Sequence, residues 1–318
     1  MGKKFVKVLL IISAILVILL IVCYINHRVN LSKEAKLFKP IGQMVTVNGN
    51  QMSVYTEGEG TIPLVFMSGG GTCSPILDFK SLYSLLSDDY KIVVVEKLGY
   101  GFSDIVNKKR DINSILSETR EALKQAKIEG PYVICPHSIS GIEALYWSMQ
   151  YPSEVKAIIG LDMAVPEAYA DYHINMPILK LLQFTAKTGI TRLLPAATES
   201  AAIKYGTLTE EEKEIYKAVF YRRTATQTMI NEVKEVKNNT ALIEQTQAPD
   251  IPVLLFCSNG AETGWKEDVW HKYQINFLNQ LADGTMIELD CGHYVHDIEF
   301  KRIADEIKLF LNEKGINE

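Results

Sequence analysis

Apolar and polar residues alternate along this chain in three rhythms. After Lys3, Lys4 and Lys7 comes Val8 to Ile25, about eighteen residues without a charge, enough to cross a hydrocarbon core as a helix. A polar linker over 28–41 follows. Met44 to Val47 and Met52 to Tyr55 then flank Asn48, Gly49 and Asn50, which predicts a β-hairpin. From Leu64 onward short apolar runs alternate with helical periodicity. The predicted order is strand Leu64 to Met67, helix Ile76 to Leu86, strand Ile92 to Val95, helix Ile112 to Ile128 with Asp111 as its N-cap, and strand Tyr132 to Cys135. A helix follows Gly141, on Ile142, Ala144, Leu145 and Met149. Such alternation predicts a parallel sheet. It stops after strand Ala157 to Leu161, which ends at Asp162. From Met163 to Ala248 no strand pattern occurs. Met176, Leu179, Leu182 and Phe184 form an apolar helical surface, and Thr209 with Glu212 makes a capping box. Strands resume at Val253 to Cys257 and Met286 to Leu289, and a helix with Ile303, Ile307, Phe310 and Leu311 on one face closes the chain.

With 318 residues, 47% of them hydrophobic, and a net charge of −5, the chain can form one α/β domain with an insertion. The expected division is a cytoplasmic tail and transmembrane helix over 1–27, the linker over 28–41, a core over 42–162 and 250–314, and a helical cap over 163–249. Mild acidity without a basic cluster excludes a nucleic-acid partner. No small-x-small cleavage site follows the apolar run, and Val22 before Cys23 makes a poor lipoprotein signal, so the run reads as an uncleaved anchor at the cell membrane. A short basic tail places the domain outside. The five cysteines have no metal-like spacing; Cys23 lies in the anchor, and free thiols outside the cell count against that orientation.

Candidate chemistry centres on the run Pro136 to Gly141, PHSISG, between a strand and a helix. A sharp strand-to-helix turn exposes its central side chain, provided the residues two positions either side are small or rigid. Pro136 and Ser140 occupy those places around Ser138. Ser140 is the competing nucleophile, but it would put Ile142 where a small residue is needed. A serine hydroxyl needs a base, and His293 and His296 stand just after the last strand, His293 behind the flexible Gly292.

Four segments, Ser68 to Thr72 (SGGGT), Glu96 to Asp104 (EKLGYGFSD), PHSISG, and Asp290 to His296 (DCGHYVH), together resemble the α/β-hydrolases of the capped esterase and aminopeptidase-like type, from about Met44 to Leu311. The resemblance implies an eight-stranded, mostly parallel sheet flanked by helices, with a helical cap over the site. It implies Ser138 as nucleophile and, from the chain order nucleophile, acid, base, His293 as base. The acid stays open between Glu262, in the turn after the seventh strand, and Asp162, after the sixth. The oxyanion hole would use the N–H groups of Ile139 and Gly70, although Ser68 replaces the histidine that usually begins that loop. No metal or cofactor is expected, and no Lys-Ser or Lys-Thr follows the glycines to make a phosphate loop. An aspartate at the elbow would have implied dehalogenase or epoxide hydrolase chemistry. The function expected is a membrane-anchored serine hydrolase acting on a small ester or amide through an acyl-enzyme, the cap suiting a medium-length acyl or aromatic group. A prolyl aminopeptidase-like peptidase and a non-catalytic binding module are the alternatives.

Overall fold

The apolar runs pair into one eight-stranded sheet in a computed structural model that describes residues 2–170, 172–244 and 248–316. Its strands are β1 Gln43–Val47, β2 Asn50–Glu57, β3 Pro63–Met67, β4 Lys91–Glu96, β5 Tyr132–Pro136, β6 Val155–Leu161, β7 Val253–Cys257 and β8 Gly284–Glu288. They lie in the order β1-β2-β4-β3-β5-β6-β7-β8. The hairpin turns through Asn48 and Gly49, both at positive φ, a geometry matched to strand twist. β1 is antiparallel to β2, and β2 to β4; every later pair is parallel.

Helices cover both faces. In chain order they are α1 Gly2–Lys33, α2 Pro75–Asp78, α3 Lys80–Tyr83, α4 Ile112–Gln125 and α5 Ser140–Gln150, then the cap helices α6 Pro166–Ala170, α7 Met176–Thr188, α8 Ala201–Lys204, α9 Glu210–Arg223 and α10 Gln227–Glu244. α11 Glu267–Leu278, α12 Val295–Ile298 and α13 Phe300–Glu313 complete the chain. Because side chains alternate across a strand, Val65, Val93 and Ile134 join Leu116, Trp147 and Tyr273 on one face. Leu64, Val94 and Val133 meet Ile76, Phe79 and Ile307 on the other. This is the α/β-hydrolase fold that the motif order implied.

Asp111 caps α4, accepting the Ser114 N–H at 3.0 Å, and Thr209 and Glu212 form their reciprocal box. Two stretches differ from expectation. The single helix expected over Ile76 to Leu86 is broken at Phe79, whose ring is buried between Phe66 and His296. The linker is also helical over much of its length. α1 runs on to Lys33 and a 3-10 turn follows at Glu34–Lys36, since neither Gly nor Pro interrupts the chain between Asn26 and Lys39. α1 is long and apolar enough to cross a membrane. The described residues of the insertion contain no strand; residues 171 and 245–247 of that stretch lie outside the described set. The cap is tied to the sheet through buried Lys97, whose Nζ donates to Glu143 and to Glu232 of α10, each at 2.7 Å.

Candidate active site

Ser138 occupies the turn between β5 and α5 with φ +53, a left-handed conformation costing a residue with a Cβ about 1–2 kcal/mol. The surrounding bonds hold it there. Its carbonyl accepts the N–H groups of Gly141 at 2.9 Å and Ala164 at 2.8 Å. Gly141 has no room for a side chain, since a Cβ would lie 2.4 Å from the Ala164 carbonyl oxygen. Ser140, the competing nucleophile, is fully buried, its hydroxyl 2.6 Å from the Met67 carbonyl and 2.8 Å from that of His137. It braces the turn against β3.

The loop after β8 carries His293 back over the end of β6, where Nδ1 lies 2.5 Å from Asp162 Oδ2. Asp162 is wholly buried, at φ +48 just beyond β6. Its carboxylate also accepts the Ser258 hydroxyl and N–H, both at 2.7 Å, and Trp270 Nε1–H at 2.8 Å. Of the two carboxylates left open by the sequence, Asp162 is therefore the one that meets His293. Glu262 is exposed at the mouth of the cavity, beside Gly292. Ser258 stands first in the turn after β7, where an acid is usual, and it holds Asp162 instead.

His296 faces away from Ser138, fully buried, with Nε2 3.1 Å from Asp78 Oδ2. His137 Nε2–H donates to the His293 carbonyl at 3.1 Å. Burial, with His293 and His296 close by, holds the His137 imidazole well below its usual range, hence neutral. Asp78, His296 and Asp297 bring possible metal-ligand atoms within 4.8 Å of one another. Burial and the neighbouring Asp78 push the Asp297 carboxyl well above the usual range.

The glycine loop presses its backbone against the serine. A Cβ on Gly69 would sit 2.9 Å from Ser138 Cβ, and one on Gly70 3.5 Å from Ile139 Cγ2. Gly71 N–H donates to the Tyr100 hydroxyl at 3.4 Å, and that hydroxyl donates to Glu232 at 3.1 Å, linking loop and cap. Ser138, His293, Gly70 and Ile139 all border one cavity of about 700 Å³, roofed by apolar cap residues including Leu179, Met229 and Val236. From the cap, Tyr169 lines the same cavity as Ser138, and burial raises its ionisation far above the usual value. Tyr169, Ser258 and Trp270 escape a reading by motif, because no local pattern marks residues that meet the site only in space.

No family model matches the chain. It is 40% identical over 258 residues to the uncharacterized protein YbdG of Bacillus subtilis (strain 168), covering 79% of each chain. Among solved structures, haloalkane dehalogenase DbeA from Bradyrhizobium elkani USDA94 superposes with TM-score 0.66 at 16% identity, over 87% of this chain and 99% of that one. ALR0039 from Nostoc sp. PCC 7120, a candidate α/β hydrolase, gives 0.67 at 16% identity, over 85% and 97%. These structural likenesses establish the fold.

Proposed function

Given that the chain belongs to the family of Bacillus subtilis YbdG and has the α/β-hydrolase fold, we propose that it is a membrane-anchored serine hydrolase cleaving a carboxylic ester. The observation carrying this is Ser138, held at φ +53 in one cavity with a histidine whose Nδ1 lies 2.5 Å from a buried aspartate. His293 takes the Ser138 proton as Oγ bonds to the carbonyl carbon, and gives it to the leaving oxygen as that C–O bond breaks. Water then repeats the sequence and frees the acid. Asp162 keeps the proton on Nδ1 and stabilises the imidazolium; its four donor contacts hold the carboxylate aligned. The N–H groups of Ile139 and Gly70 receive the oxyanion. A mostly apolar roof suits an acyl chain. Val8 to Ile25 of α1 provides the anchor, with the domain outside.

A fluorophosphonate probe tests the reading. Wild type should label and Ser138→Ala should not, while p-nitrophenyl esters are turned over and a proline naphthylamide is not. Preference for the naphthylamide would make the protein a peptidase. Absence of labelling together with absence of turnover would make it a binding module.

A further inference from the structure

One stripe of α1 and of the 3-10 turn after it loses its exposure towards the C-terminal end: Leu20, Cys23, His27, Asn30 and Leu31 of α1, then Glu34, spaced as one helical face. That face is docked on the cap. Gly189, at φ +79 where α7 ends, comes so close that a Cβ there would lie 2.3 Å from His27 Cβ and 3.0 Å from the Cys23 carbonyl oxygen. Arg192 Nε–H donates to His27 Nδ1 at 2.9 Å, and its two terminal nitrogens grip Glu34 at 2.7 and 2.8 Å. Arg222 donates to the same carboxylate and to the Leu31 carbonyl.

This contact sets the depth of the cap. The uncharged span ends at Ile25, so Cys23 lies about 3 Å and Leu20 about 7.5 Å inside it at the helical rise per residue. Gly189 and the turn Ile190–Leu193, which touch α1 there, are at the hydrocarbon boundary. The cap surface beside them is apolar and bare: Ile178, Leu181, Phe184, Leu193 and Leu194 are each between 47% and 63% exposed. Ile178 and half-exposed Leu182 also line the cavity over Ser138. Lys180 and Lys187 on α7, with Arg28, Lys33 and Lys36 near the exit of α1, are all exposed and suit anionic headgroups.

We propose that this cap face is immersed in the headgroup and acyl boundary of the bilayer that α1 crosses, and that the cavity receives its substrate from there. The substrate class is a bilayer-resident fatty-acyl ester, which enters past Ile178 and Leu182 to Ser138. The immersion rests on α1 being a membrane span, and the substrate class on the serine hydrolase reading.

The test uses the full chain in vesicles of phosphatidylcholine and phosphatidylglycerol. In Leu193→Trp, the fluorescence added to the wild-type signal should be quenched when the phosphatidylcholine is brominated near the top of its chains. Leu181→Asp combined with Leu193→Asp, neither of which lines the cavity, should slow hydrolysis of membrane-dissolved monopalmitoylglycerol roughly 10-fold and leave soluble p-nitrophenyl butyrate hydrolysis near wild type. Absence of quenching overturns the immersion, whatever the catalysis. Quenching with both substrates slowed equally, or neither slowed, overturns entry from the bilayer. Wild type that turns over neither substrate while the indole is quenched sinks the hydrolase reading, and the substrate class with it.

Discussion

Ser138, Ala225 and Glu262 line one cavity at positive φ, and Asp162 stands at positive φ behind His293, but only Asp162 combines that geometry with complete burial and a contact to His293. Replacing its carboxylate by an amide removes the acceptor that fixes the His293 tautomer. Asp162→Asn is expected to lower kcat by a factor on the order of 10⁴ with little change in KM, whereas exposed Glu262→Gln should stay within about threefold, because solvent screens an exposed charge. Steady-state kinetics on a soluble ester checks both. A large loss for Glu262→Gln with a small one for Asp162→Asn would reverse the assignment. Ser138 is legible in the sequence because its constraint is local, a small-residue turn between a strand and a helix. The carboxylate that meets His293 is not, since Ser258, Trp270 and His293, the groups that hold Asp162, come from segments about a hundred residues away or more.

Among the elements, the turn from Glu96 to Asp104 works as a clasp. Glu96 accepts the Phe102 N–H at 2.8 Å, Ser103 joins β4 to Ser53 of β2, and Asp104 accepts the Gln51 N–H. Gly101 is obligatory there, because a Cβ would fall 1.9 Å from the Glu96 carboxylate. Burial pushes the Glu96 carboxyl from 4.5 up to about 7, against the Phe102 N–H that favours its charged form. A carboxyl raised on folding holds its proton longer in the native state than in the unfolded one. Its contribution to stability is therefore complete below about pH 4.5 and is lost as the pH rises through about 7, by about 3 kcal/mol in all. Urea midpoints of the wild type should fall across that window, and Glu96→Gln, which keeps an acceptor for Phe102, should flatten the fall. Parallel curves for the two proteins would dismiss Glu96 as its source. The segment is readable as a turn from its glycines and Ser-Asp ending, yet its service to β2 requires the antiparallel pairing of β2 with β4.

For the whole molecule, the junction of α1 and the cap matters most, and there Arg192 bridges His27 and Glu34 while its guanidinium stacks 3.8 Å from the Tyr221 ring centre. Arg192→Ala should speed amide exchange in Ile190–Leu193 and at the end of α1 roughly 10-fold, as expected for the loss of charge-assisted hydrogen bonds in a half-buried site, with the sheet unaffected. Unchanged exchange would mean that apolar packing alone holds the junction. Periodicity by itself determined the alternating strands and helices, the helices of the described part of the insertion and the long apolar segment, since each reflects which side of a local element meets water or lipid. Motif chemistry determined Ser138 and His293 as candidates in the same local way. Only the tertiary structure decided that Asp162 reaches His293, that Tyr169 shares a cavity with the serine, and that α1 continues past its apolar run to grip the cap. Those contacts join residues distant in the chain, and no local pattern of polarity carries the distance between them.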